Sequence, residues 1–147
     1  MTLAPYWHYK KLADASADLV ENLIEQGRWL KANSEPGDTL ATPLAGALAY
    51  YSELHTFDML GLTDEHIAHV EIPTLGQFPL AGHEKNDPEY IFAKRPTWIW
   101  VSTNPSERWL PGTNELVNLP GFSEMYEPFR IPLSSGKEIE IYRKKQR

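Results

Sequence analysis

Residues Thr39–Lys85 read TLATPLAGALAYYSELHTFDMLGLTDEHIAHVEIPTLGQFPLAGHEK. The short apolar run Thr39–Thr42 predicts a buried strand, and Pro43 suits the first turn of a helix over Leu44–Tyr51. His55–Leu60 predicts a second strand, carrying Asp58 near its end. Thr63 is then positioned to cap a helix over Asp64–Val70, whose acidic first residues face the positive end of the helix dipole. Strand, helix, strand, helix is the repeating unit of a parallel sheet with crossover helices.

The flanks extend this pattern. Upstream, Leu12, Ala15, Leu19, Val20, Leu23, Ile24 and Leu30 recur at helical spacing, predicting one amphipathic helix over Tyr9–Ala32. Gly27 weakens its last third, and Glu35-Pro36-Gly37-Asp38 ends it in a turn. Downstream, Glu71–Ala81 reads as a loop, and Asn86 or Asp87 can cap a helix Pro88–Lys94 with proline at its first position. Thr97–Ser102, TWIWVS, is the strongest strand, with Trp98 and Trp100 sharing a face as core residues. Asn104–Gly121 is rich in turn formers, and Phe129–Leu133 with Glu138–Arg143 form a hairpin across Ser134–Lys137.

These elements predict one α/β domain over residues 1–147: an N-terminal helix (9–32), a sheet core (39–102) and a C-terminal hairpin (129–145). The architecture expected is a three-layer sandwich, half Rossmann-like, whose partly parallel sheet gains an antiparallel edge. Right-handed crossovers place the Thr39 strand between the His55 and Thr97 strands.

Composition narrows the function. Hydrophobic content of 41% with 23% charge is that of a folded globular chain, and a net charge of −6 disfavours nucleic acid as a partner. The basic tail Arg143, Lys144, Lys145 and Arg147 reads as a solvated terminus. Without cysteine, disulfides, thiolate catalysis and thiolate-bound zinc are excluded. No apolar run reaches the roughly 20 residues of a membrane span, and the first residues lack a signal-peptide pattern; taken alone, these features predict a cytoplasmic protein.

Two polar clusters stand beside predicted strand ends: Asp58-x-x-Gly61-Leu62-x-Asp64-x-His66 and Gly82-His83-Glu84-Lys85. Ligands of such sheets sit beyond the carboxyl ends of the strands, so Asp58 is placed to bind ribose or sugar hydroxyls, or to accept from a helix terminus. The competing reading is that it orders the Leu60–Leu62 turn through an Asx-type hydrogen bond. The turn after the first strand holds a single glycine and a proline, which argues against a dinucleotide, and no cofactor is expected.

His55, Asp58, His66, His69, His83 and Glu84 could converge as a metal site, but two histidines three apart without a flanking motif do not specify one. Lys85, paired with Asp58 or Asp64, would staple loop to sheet as a buried ion pair beside Glu84, the alternative for Gly82–Lys85 being an acceptor-sugar or lipid-phosphate contact; Trp109 is the tryptophan most suited to stack on a sugar.

Tyr50-Tyr51, then Asp58-Met59-Leu60-Gly61-Leu62-Thr63-Asp64-Glu65-His66-Ile67-Ala68, then Gly82-His83-Glu84-Lys85, then Arg95-Pro96 before an apolar strand, resemble a group of polytopic bacterial glycosyltransferases. These are the C-type enzymes that use polyprenyl-phosphate sugars, including terminal arabinofuranosyltransferases. The resemblance spans Leu30–Ser102 and implies the extracytoplasmic C-terminal domain, on the periplasmic face of the inner membrane. It further implies that the partners are the transmembrane part of a parent protein and a glycan or polyprenyl-phosphate sugar. The family's catalytic acid lies between membrane helices, so no residue here inherits a catalytic role. Asp58, Asp64, His66, His83, Glu84 and Lys85 are the expected binding or loop-organising groups. Two other readings are a stand-alone enzyme or metal protein built on Asp58, His66, His83 and Glu84, and a protein-interaction module docking through the first helix or the Trp109 loop. No sequence feature specifies an oligomeric state.

Overall fold

The structure is a computed structural model that describes residues 6–73, 76, 83–104 and 112–146, with side chains from Ser16 onward. Gly82 and Trp109 lie outside the described residues. Helix α1 (Tyr6–Ala32) leads into β1 (Thr39–Thr42), α2 (Ala47–Ser52) and β2 (His55–Asp58). There follow α3 (Glu65–Ala68), α4 (Pro88–Lys94), β3 (Trp98–Ile99), α5 (Thr113–Val117), α6 (Phe122–Met125), β4 (Tyr126–Pro132) and β5 (Glu138–Lys144).

The sheet order is β2-β1-β3-β5-β4. Strand β1 pairs in parallel with both β2 and β3, while β5 pairs antiparallel with β3 and β4. Alternation along the strands divides two cores. Leu40, Trp98, Ile131 and Ile141 pack with Leu23 and Leu30 of α1 and Leu48 of α2. Ala41, Ile99 and Tyr126 pack on the other face with Ile67 of α3, Ile91 of α4, Leu116 of α5 and Phe122 of α6. The layering follows from crossover handedness. The chain leaves β1 towards one side through α2 and returns past it to β3 through α3 and α4, so the two crossovers must cover opposite faces. The three-layer α/β sandwich with a C-terminal antiparallel hairpin is therefore the observed architecture.

Several boundaries differ from expectation. Helix α2 begins at Ala47, because the Thr42 hydroxyl takes the Leu44 N–H (3.0 Å) and holds Pro43 outside the helix. Strand β2 stops at Asp58, whose side chain turns the chain. Strand β3 keeps only Trp98–Ile99 in its ladder. Trp100 N–H still reaches the Ala41 carbonyl (2.8 Å), but Val101 N–H bonds to the Ile99 carbonyl and bends the chain away. The hairpin starts earlier than predicted, at Tyr126, and carries Pro128 and Pro132. Both are tolerated because β4 is an edge strand with a single neighbour.

Helix α1 corrects the sequence reading at Leu19 and Val20. Leu19 and Val20, expected on its buried stripe, are exposed; the buried stripe begins at Leu23 and continues to Leu30. Gly27, expected to weaken the helix, is where α2 seats. A Cβ there would lie 2.8 Å from Tyr51 Cβ and 2.9 Å from the Leu48 carbonyl oxygen. The crossing is fixed further by Arg28 over the Tyr51 ring and by a Lys31–Glu53 ion pair of 2.5 Å.

Candidate functional site

The segment after β2 is built around Asp58, which is fully buried. Its carboxylate accepts the Leu60 N–H (3.0 Å), the Thr63 N–H (2.7 Å) and the Thr63 hydroxyl (3.3 Å). A buried carboxylate must be hydrogen-bonded to be tolerated, and here its own loop supplies the donors. Gly61 makes the turn possible. Its φ is +74°, and a Cβ would meet the Ala68 nitrogen at 2.7 Å and the Ile67 carbonyl carbon at 2.8 Å, so α3 lies directly against the loop backbone.

Asp64, not Thr63, caps α3: its carboxylate accepts the Ile67 N–H at 3.1 Å. Thr63 is already committed to Asp58, and α3 is a single turn over Glu65–Ala68 rather than a helix to Val70. The other oxygen of Asp64 accepts the Tyr90 hydroxyl at 3.2 Å, tying α3 to α4. Asp87 caps α4 through the Tyr90 N–H (2.9 Å) and bonds His66 Nε2 at 2.7 Å. The His66 ring stacks on Tyr90, with centroids 4.0 Å apart and planes 14° apart. Lys94 lies over the outer side of this group, 4.6 Å from the Tyr90 centroid. Partial burial works against the charge of Asp87, but hydrogen bonds from His66 and the Tyr90 N–H outweigh it and hold its carboxyl below the ordinary 3.8.

The second cluster closes the same loop. The Lys85 ammonium donates to the Ala68 carbonyl at the end of α3. Glu84, buried, accepts the Gly76 N–H at 3.2 Å, and its own carbonyl takes the Asn86 amide. The expected ion pair of Lys85 with Asp58 or Asp64 is replaced by its bond to the Ala68 carbonyl, while Glu84 takes a backbone N–H. The reason is local: Asp58 and Asp64 are already filled by N–H groups and by the Tyr90 hydroxyl. His83 is half-buried and engaged.

The structure thus brings Asp58, Asp64, His66, Glu84 and Lys85 into one folded unit together with Asp87 and Tyr90, which the sequence reading assigned only to a helix. His69 turns away to the Glu65 carbonyl (2.7 Å). Among the described residues no group of three or more His, Asp or Glu is arranged to hold a metal ion. What the unit leaves to solvent is the His66–Tyr90 stack, with the His66 side chain 49% exposed and carboxylates on either side.

A second polar surface lies at the carboxyl end of β3, beside the point where strand order reverses around β1. It is a cleft of about 480 Å³ lined by Trp100, Ser102, Thr103, Arg130, Glu138 and Glu140 among others. The Thr103 hydroxyl, and after it Arg130, hold the Glu140 carboxyl below its ordinary range, and Glu140 raises Arg130 in turn. Sequence analysis missed this group, although a register placing Arg130 opposite Glu140 follows from the hairpin once its turn is fixed.

No helix among the described residues is long and apolar enough to cross a membrane. No curated protein and no solved structure matches the chain. A family profile does match, over residues 11–142, which takes in the sheet, both of its faces and both polar clusters; the chain belongs to the family described as Domain of unknown function (DUF8728).

Proposed function

We propose that the chain is the extracytoplasmic accessory domain of a membrane glycosyltransferase that uses polyprenyl-phosphate sugars, and that it binds acceptor glycan without a catalytic residue of its own. The supporting observation is the convergence of two of the stretches that carry the resemblance, Asp58–Ala68 and His83–Lys85. Positions scattered from Asp58 to Tyr90 meet through Asp58–Thr63, Asp64–Tyr90, His66–Asp87 and Lys85–Ala68 contacts. A motif that closes on itself in space forms one structural unit, and so supports carrying over the context in which the motif occurs. The solvent side of the unit suits a sugar: the half-exposed His66 ring, stacked on Tyr90, offers an aromatic surface for its C–H face. The exposed Leu19 and Val20 on α1 offer apolar surface to the membrane part of the parent.

Fractionation of source cells and blotting with antibody against this chain tests the proposal. A membrane-bound band far larger than 16.8 kDa is expected, whereas a soluble band at that mass overturns it. In the parent enzyme, His66→Ala should reduce transfer while leaving the unfolding temperature of the domain nearly unchanged.

A further inference from the structure

At the opposite end of the sheet from the polar loop, a cleft of about 940 Å³ opens between the end of α4, the start of α6 and the last residues of β5. Among the described residues four cations line it: Arg95, Arg143, Lys144 and Lys145. Glu35, Asp38 and Glu124 line it too, yet none of the ion pairs among the described residues joins any of these acids to any of these cations. Asp38 is spent on the Thr97 hydroxyl and the Glu35 N–H. The two lysines hold backbone, Lys145 the Ser123 carbonyl at 2.7 Å and Lys144 reaching towards the Arg95 carbonyl. Arg143 lies over the Trp98 and Phe129 rings, 5.2 and 5.5 Å from their centroids.

Arg95 is the unusual member. It ends α4 in the left-handed conformation (φ +52°, ψ +49°), a position that glycine occupies without strain. Among the described residues the other non-glycine with positive φ, Glu53, has a structural reason for its side chain, the ion pair with Lys31. Arg95 is exposed, and among the described residues its guanidinium makes no hydrogen bond or ion pair. A strained backbone carrying an uncommitted guanidinium, in a cleft of unpaired cations on a chain of net charge −6, is an arrangement that an anionic ligand would offset.

We propose that this cleft binds a phosphate-bearing ligand, with Arg95 as the recruiting guanidinium and Arg143, Lys144 and Lys145 completing the cationic wall. The inference does not rest on the glycosyltransferase reading.

The test is a titration of the chain with inorganic pyrophosphate at low ionic strength, followed by amide chemical shifts. Saturable shifts confined to residues 95–97 and 143–146 are expected, with affinity reduced by roughly tenfold or more in Arg95→Gly. Because glycine suits that backbone, the variant should unfold at the same or a higher temperature, so a loss of binding cannot be ascribed to misfolding. No shift at millimolar pyrophosphate, shifts scattered over the surface, or equal affinity in Arg95→Gly would each overturn the proposal. Vesicles of phosphatidylglycerol separate the sources: co-sedimentation displaced by pyrophosphate assigns the phosphate to a lipid, and pyrophosphate binding without co-sedimentation assigns it to a soluble ligand.

Discussion

The loop after β2 and the cleft at the far end of the sheet are both crowded with charge, and they use it in opposite ways. In the loop nearly every ionisable side chain is spent on the protein itself. Asp58 fills two backbone N–H groups, Asp64 and Asp87 cap helices, and Lys85 holds the end of α3. In the cleft the cations stand beside carboxylates without pairing, and one of them sits on a backbone that prefers glycine. A dense polar motif is therefore not by itself a binding site. What distinguishes a site is polar capacity left over once the fold has been satisfied.

The sharpest way to break this contrast is to remove Asp58. Asp58→Ala leaves the buried N–H of Leu60 and the part-buried N–H of Thr63 without acceptors, at a cost of about 3 kcal/mol. That corresponds to a fall of roughly 10 °C in the unfolding temperature for a chain of this size. Calorimetry that found no fall would mean that the loop does not depend on its carboxylate.

Gly27→Val tests the α1–α2 crossing that supports the opposite face. Its side chain would displace Tyr51 and the Leu48 carbonyl, destabilising by about 2 kcal/mol, measured by urea unfolding. An unchanged midpoint would show that the helices have room to part.

A smaller effect is expected in acid. The Asp87 carboxyl titrates below its unfolded value of 3.8, so its contribution is complete above that value and lost as pH falls through the lower folded value. For a partly exposed pair the contribution is at most about 1 kcal/mol. Asp87→Asn should flatten the acid limb of stability against pH while leaving the region above pH 5 almost parallel to wild type. A limb as steep as wild type would remove Asp87 from the account.

The smallest change expected is a gain. Arg95→Gly should raise stability by about 0.5 kcal/mol, since relief of the left-handed backbone slightly outweighs the added freedom of the unfolded chain.

Much of this fold was legible because its signals are local. The run Thr39–Thr42 matches β1, and proline at the first position after an Asp cap marks α4 at both ends. Alternation about Ser134–Lys137 gives the hairpin, and the crossover rule places β1 at the centre of the parallel strands. The errors arise where a side chain chose a partner among several in reach. Thr63 was free to cap α3 until Asp58 claimed it, and Lys85 had two carboxylates available in sequence but found a carbonyl in space. Leu19 and Val20 fit a helical stripe, but the buried stripe begins at Leu23. The cationic cleft was least legible of all. Arg95 and Arg143–Lys145 are some fifty residues apart, and only the pairing of β3 with β5 brings them together.

The contrast between the two regions is tested most directly by thermal unfolding of wild type, Asp58→Ala and Arg95→Gly side by side. The account predicts shifts of opposite sign, a fall of roughly 10 °C for Asp58→Ala and a rise of about 1–2 °C for Arg95→Gly. A fall in both would contradict it, because Arg95 would then belong to the framework of the fold rather than stand as a charge the fold carries for a ligand.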